Sequence, residues 1–251
     1  MSTSATLSPN PLPAAPALSQ IQRVVATFTA PSRVMADISR SASWWLPWIV
    51  STLVALVLVF AIDRNITWKS VIESQMERSP LVAESLDRMT PEKRAQAVEM
   101  QIKITRIAVY LQPVGTIVNY VIVAALLLAI FNFGFGAELK FARAMAITAY
   151  SGLVLVLKNV LVAVVVLIGI DPANFNLANP IASNPGHLLS PDANRLLYGM
   201  LSALDVFALW AIFLMALGIA HNSKVKTRAA FCALFVLYLL VKVGGGALGL
   251  F

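Results

Sequence analysis

The sequence predicts an all-α polytopic membrane protein with five transmembrane helices plus amphipathic surface helices. Three observations predict it. Hydrophobic residues make up 59% of the chain and charged residues only 12%, against about a quarter charged in an ordinary soluble domain. Mean hydropathy is +0.78. The apolar residues also fall in blocks of the ~20 residues that a hydrocarbon core of about 30 Å requires of a helix.

The formal charge of +7 invites a nucleic-acid reading. The basic residues form no groove-sized cluster with interleaved aromatics, so nucleic acid is not an expected partner. In a membrane chain such an excess orients the spans and attracts anionic headgroups. The expected partners are therefore the lipid bilayer, anionic lipids in particular, and a membrane-protein partner or a second copy. Cys232 is the one cysteine and lies in an apolar stretch, which excludes an intrachain disulfide and reads as a packing residue.

Residues 1–20 are rich in Pro, Ala and Ser and read as a disordered tail. From Ile21 to Ser43 the apolar residues Ile21, Val24, Val25 and Phe28, then Val34, Met35 and Ile38, recur at helical spacing around Pro31, with Arg23, Arg33 and Arg40 between them. Two short amphipathic helices fit, lying on the membrane surface or packed on the protein's own loops. Residues 44–62 form an uncharged first span that opens with Trp44, Trp45 and Trp48, rings suited to the headgroup level with their N–H groups in water.

Residues 63–106 are the one substantial polar segment, with eight Lys or Arg against seven Asp or Glu. Helix starts are legible after Ser79-Pro80 and at Thr90-Pro91-Glu92, where Thr caps, Pro takes the first helical position and Glu meets the dipole. A helical cap whose last helix runs into span two is expected. That span covers 107–135, with Pro113 and Gly115 as a kink site. A tight turn through Gly134 and Gly136 leads to span three at 144–170, and a proline- and asparagine-rich loop follows. Span four is read as one helix over 196–220, and span five covers 229–250 after a short basic loop. Gly244, Gly245, Gly246 and Gly249 permit close helix approach, within the chain or to a second copy. Lys and Arg in the short connections place the N-terminus in the cytoplasm, in a cell inner membrane, with the C-terminus outside; the basic residues of 63–106 count the other way.

Three ionisable residues stand inside spans: Lys158 in the third, Asp205 in the fourth and Lys242 in the fifth. A charge at the bilayer centre costs roughly 2.5–3.5 kcal/mol on insertion scales, so such groups face the bundle interior and find partners. With that topology all three fall at depths they can share. Asp205 can pair with Lys158 or Lys242 and lock spans three to five, or the group can bind an ion, a proton or an anionic lipid. Lys242 can instead snorkel, since the glycine triplet ends its helix near the interface.

Enzyme signatures are scarce. His187 and His221 have no Cys or acidic partner at metal spacing, no nucleophile elbow, P-loop or H-E-x-x-H occurs, and Ser151 has no intramembrane histidine to act as its base. No cofactor is expected. Asn65-Ile66-Thr67 matches a glycosylation sequon, a tripeptide common by chance.

Several stretches are shared with a known family. Phe28 to Ile38 (FTAPSRVMADI), Trp44-Trp45-Leu46-Pro47, Phe135 to Ser151 (FGAELKFARAMAITAYS), and Asn184-Pro185 through Leu188, Asp205, Trp210 and Gly218 resemble the Yip1 domain family of five-span membrane proteins, the bacterial branch above all. Gly152-Leu153 stand where that family often has a proline after Tyr-Ser. The resemblance implies one Yip1-like membrane domain over 21–251, and a non-enzymatic protein acting through lipid or membrane-protein interaction. Eukaryotic relatives engage Rab GTPases through a cytosolic N-terminus; the short proline-rich arm here does not carry that partner over. The runner-up expectation is a small transporter or channel using Lys158, Asp205 and Lys242.

Overall fold

A computed structural model describes residues 16–78, 80–169, 179–189 and 195–247. Most of the expected disordered tail, most of the loop before span four, and Gly249 lie outside the described residues. Among the described residues the chain is helical, with no strand.

The amphipathic segment forms α1 (Gln20–Thr29) and α2 (Pro31–Asp37). Ser19 starts α1 through a capping box: its hydroxyl accepts from the Gln22 N–H while the Gln22 side chain accepts from the Ser19 N–H at 2.9 Å. Pro31 then sets the first turn of α2. Of the two expected seats, protein packing takes the inner face. Val34, Met35 and Ile38 are fully buried, α2 lies on the fourth span, and the Asn222 amide donates to the Met35 carbonyl at 2.9 Å. Ile21 and Val25 point the other way and are exposed.

The first span is α3 (Trp45–Asn65). Trp48 was expected to keep its N–H in water; it donates instead to the Pro113 carbonyl at 2.9 Å and ties α3 to the second span. The polar segment folds into α4 (Trp68–Arg78), α5 (Pro80–Asp87) and α6 (Pro91–Tyr110), and α4 packs on both others. Thr90 caps α6 and Glu92 stands in its first turn. The Glu92 carboxyl is held below its usual range, first by its own backbone N–H and then by the Thr90 hydroxyl. The junction with α3 is polar: Trp68 Nε1 donates to Asp63 Oδ1, and Arg106 stands 3.7 Å from that oxygen.

Leu111 separates α6 from α7 (Gln112–Leu128), whose second residue is Pro113, and a π-helical turn over Ala129–Phe133 ends the span. The turn beyond it is closed by Asn132, whose amide donates to the Leu139 carbonyl and accepts from the Leu139 N–H at 3.0 and 2.8 Å. Gly136 lies there at φ 62°, a conformation that costs a side chain energy.

The third span, α8 (Phe141–Ile168), is the axis of the molecule: α1, α3, α7 and the fourth span all pack on it. Every residue from Ala144 to Ser151 is buried, and a helix stretch buried on all its faces belongs in a bundle centre. A short 3-10 turn, Pro185–Leu188, precedes α9 (Arg195–Ala203) and α10 (Val206–Asn222), and α11 (Thr227–Ala247) closes the described chain. Four helices are each long and apolar enough to span a membrane, with α9 and α10 together making a fifth, bent by 55°. Here the expectation of one helix over 196–220 is corrected. The helix stops at Ala203 and restarts at Val206, because Asp205 caps a new helix and does not continue the old one.

Candidate functional site: a charged latch at a broken span

Asp205 adopts an extended backbone (φ −74°, ψ 123°), and its Oδ1 accepts from the Phe207 and Ala208 N–H groups, both at 3.0 Å. Aspartate is among the best N-cap residues and an indifferent helix-interior one, since its short carboxylate competes for nearby backbone donors. In water that competition is modest. Inside an apolar bundle the orphan N–H groups at a helix start have no water to turn to, so the cap satisfies donors that would otherwise go unpaired.

The second oxygen gathers the neighbouring elements. Oδ2 accepts from Lys158 Nζ of α8 at 2.7 Å, from the Ser183 hydroxyl, and from the Asn184 amide at 3.5 Å. Asp205 is 5% exposed and Lys158 19%, so the pair sits in a medium where neither charge is stable alone. Lys158 lies near the middle of the 28-residue α8.

Ser183 and Asn184 belong to the segment 179–189, which folds in against the break. The Val206 N–H donates to the Ser183 carbonyl at 3.0 Å, Asn179 and Asn184 bond each other amide to amide, and Asn179 and Ser183 are buried. Gly186 rests directly on α9. A Cβ at this position would lie 2.9 Å from the Ser202 backbone nitrogen and overlap the Ser202 hydroxyl, so only glycine lets the segment sit this close. One carboxylate thereby joins α8, the infolded segment and the start of α10.

Of the three residues expected to meet, Lys158 and Asp205 bond directly. Lys242 is half-buried on α11, with its backbone carbonyl about 4.0 Å from where a Cβ of Gly199 would stand. That places it alongside α9, more than a turn from the break. Tyr238, one turn earlier on α11, is within electrostatic reach of Asp205.

A second buried charge pair escaped the sequence reading, which treated Arg23 as a cation between apolar positions. Arg23 is 1% exposed and Asp37 5%. Arg23 Nε and Nη2 meet Asp37 Oδ2 at 2.8 and 2.7 Å, and Nη1 donates to the Ser41 carbonyl at 2.8 Å. Beside them the Tyr150 hydroxyl of α8 donates to Gln20 Oε1 at 3.0 Å. A signal was present: Asp37 stands between apolar Val34 and Ile38 on the buried face of α2, where an acid needs a partner.

A cleft between α3, α4 and α6 is lined by Val59, Asp63, Trp68, Arg106, Val109 and Tyr110, with a volume of about 130 Å³. Small-molecule pockets start at about 300 Å³, so this one admits little beyond water. Among the described residues no three His, Cys, Asp or Glu side chains are grouped to hold a metal ion.

No curated protein and no solved structure matches the chain. The model of one family, the Yip1 domain, matches residues 25–247. That match takes in the Lys158–Asp205 pair, Asp37 and every span, and the chain is a multi-pass membrane protein belonging to the Yip1 domain family.

Proposed function

We propose that this protein is non-enzymatic and acts through lipid and membrane-protein interaction from the end of the bundle that carries α1 and α2. One observation carries the reading. Arg33, Arg40, Lys140, Lys224, Lys226 and Arg228 are all exposed at that end, which is fastened by the Asn222–Met35 bond and by Arg143 donating to the Ser39 carbonyl. Acidic groups there are few among the described residues: Asp37, already paired, and Glu138. Exposed apolar side chains lie among the cations, Phe133 at 91%, Ile21 at 73% and Val25 at 56%. Cations and apolar groups on one rim suit an anionic membrane surface, at about 1 kcal/mol per basic residue. The same excess makes this the cytoplasmic end, in a cell inner membrane, with the C-terminus outside.

Native mass spectrometry of the protein released from nanodiscs of phosphatidylcholine and phosphatidylglycerol tests the lipid reading. The protein should retain phosphatidylglycerol several-fold above its share of the bilayer, and K224Q/K226Q/R228Q should lose most of that enrichment. Retention in the bulk ratio would overturn the reading. Reporter fusions at Ser2 and Phe251 test the orientation.

A second reading, a small transporter or channel using Lys158, Asp205 and Lys242, is favoured by the break itself. Discontinuous helices with capped half-helix starts in mid-membrane build the ion and substrate sites of many transporters. Proteoliposome flux that D205N and K158M abolish would support it, and the absence of flux for protons and common ions would sink it.

A further inference from the structure

The cleft between α3, α4 and α6 is too small for a whole small-molecule ligand, at about 130 Å³. It lies at the edge of the hydrocarbon, where the apolar run of α3 gives way to Asp63 and where Phe60 and Ile107, each 59% exposed, face acyl chains. What such a cleft can hold is the tip of a molecule whose remainder lies in the bilayer.

Its walls repeat the polarity of a phospholipid. Asp63 meets Arg106 and Trp48 meets Pro113, so α3 and the helices facing it run antiparallel. On α3, Asp63 stands one turn outward of Val59; on α6, Arg106 stands one turn outward of Val109 and Tyr110. Residues at these spacings share one side of a helix. Both walls are therefore charged at the outer end and apolar or aromatic toward the membrane centre. Trp68 of α4 and Tyr110 also line the cleft, and tryptophan and tyrosine are the side chains of the headgroup level.

The charges in it are only half engaged. Arg106 Nη2 is 3.7 Å from Asp63 Oδ1, outside hydrogen-bond reach, and the two side chains are 56% and 46% exposed. Trp68, buried, donates through Nε1 to Asp63 Oδ1 and so fixes the carboxylate. Among the described residues the Arg106 guanidinium makes no hydrogen bond and Asp63 Oδ2 accepts none. A guanidinium presents paired donors that match a phosphate, and a carboxylate oxygen accepts from an ammonium.

We propose that this cleft is a headgroup site for a zwitterionic phospholipid with a primary ammonium. The phosphate lies on Arg106, the ammonium on Asp63 Oδ2, and the acyl chains run inward past Val59 and Tyr110. Asp63 decides the class. At the basic rim an anionic headgroup meets mostly cations, whereas here the aspartate would repel it. A primary ammonium brings three N–H donors to the carboxylate; a trimethylammonium brings none and is wider. The site rests on the lipid half of the proposed function and adds a second lipid class at the other end of the bundle.

Native mass spectrometry of the full chain tests it, after release from nanodiscs with equal shares of phosphatidylethanolamine, phosphatidylcholine and phosphatidylglycerol. Phosphatidylethanolamine should be retained about tenfold above phosphatidylcholine, the factor that one charge-assisted hydrogen bond supplies. Asp63→Asn keeps an acceptor for Trp68 but loses the charge, and should bring those two lipids level. It should leave phosphatidylglycerol enrichment unchanged, which also reports that the variant folds. Arg106→Gln should lower retention of both zwitterionic lipids, and Arg106→Lys should keep part of it. The rim variant K224Q/K226Q/R228Q should leave the phosphatidylethanolamine preference intact. An excess of glycerophosphoethanolamine, the same headgroup without acyl chains, should displace nothing. Retention of the two zwitterionic lipids in their bulk ratio, a preference that survives both D63N and R106Q, or displacement by glycerophosphoethanolamine would each overturn the proposal. Absent phosphatidylglycerol enrichment beside an intact phosphatidylethanolamine preference would support this site and overturn the rim reading alone.

Discussion

Removing the Asp205 carboxylate should unlock the fourth span, and the cost can be worked from its bonds. In Asp205→Ala the Phe207 and Ala208 N–H groups lose their cap, a loss of about 1 kcal/mol. Lys158 loses the carboxylate it meets at 2.7 Å while remaining 19% exposed. Breaking a buried pair from one side costs about 3–5 kcal/mol, and the long lysine stem can relieve part of it by reaching toward the interface. The sum is about 4 kcal/mol, taking the pair at the low end of its range. Lys158→Ala should cost less, about 2 kcal/mol, because the carboxylate keeps its two backbone donors, Ser183 and Asn184. The double variant should then be less damaged than the sum of the singles, with a coupling of about 1–3 kcal/mol. Equilibrium unfolding in mixed dodecyl maltoside and dodecyl sulfate micelles measures all three. Unchanged midpoints for both single variants, or additive effects within about 0.5 kcal/mol, would refute the latch.

Other consequences can be checked on the same preparations. Arg23→Ala leaves Asp37 buried and unpaired and should cost about 3–5 kcal/mol, whereas Arg23→Met with Asp37→Leu should recover most of that in the same unfolding assay. Gly218→Val should destabilise by about 1–3 kcal/mol, since a Cβ there would lie 2.7 Å from Ile147 Cγ2 and 3.0 Å from Met35 Sδ; Ile147→Ala should partly restore it. Gly186→Ala should lift the infolded segment off α9, and hydrogen exchange at the Val206 amide, which donates to Ser183, should quicken. Because the folded Glu92 carboxyl lies below its unfolded value, its contribution to the start of α6 is present above the ordinary glutamate range and is lost as pH falls through the folded value; protection of the first α6 amides, taken relative to the intrinsic exchange rate at each pH, should fall on acidification, and unchanged protection would count against the cap.

Local chemistry made much of the architecture legible. Ser79-Pro80 and Thr90-Pro91-Glu92 each announce a helix start from neighbours in the chain, and helices begin at Pro80 and Pro91; the Ser19/Gln22 box, by contrast, begins inside the stretch read as tail, where α1 already starts at Gln20. At Asp205 two local signals conflict: the apolar run favours one long span, and the aspartate favours a cap. Hydropathy alone does not weigh them, because the cap becomes decisive only once Ser183, Asn184 and Lys158 occupy the second carboxylate oxygen. Arg23 shows the same limit from the other side. Its neighbours read as a surface helix, and only α2 and α8 closing over it convert it into a buried cation.

By itself the sequence determined the membrane class, the number of apolar segments, the family and the presence of three intramembrane charges, since each follows from composition or from residues close together in the chain. The tertiary structure decided which charge Asp205 meets, that the fourth span is two helices, and that α1 and α2 dock on the bundle. These depend on groups 14 to 187 positions apart, from Arg23–Asp37 through Lys158–Asp205 to Asn222–Met35. No local pattern encodes such pairings, because burial removes the water that would otherwise satisfy each group alone.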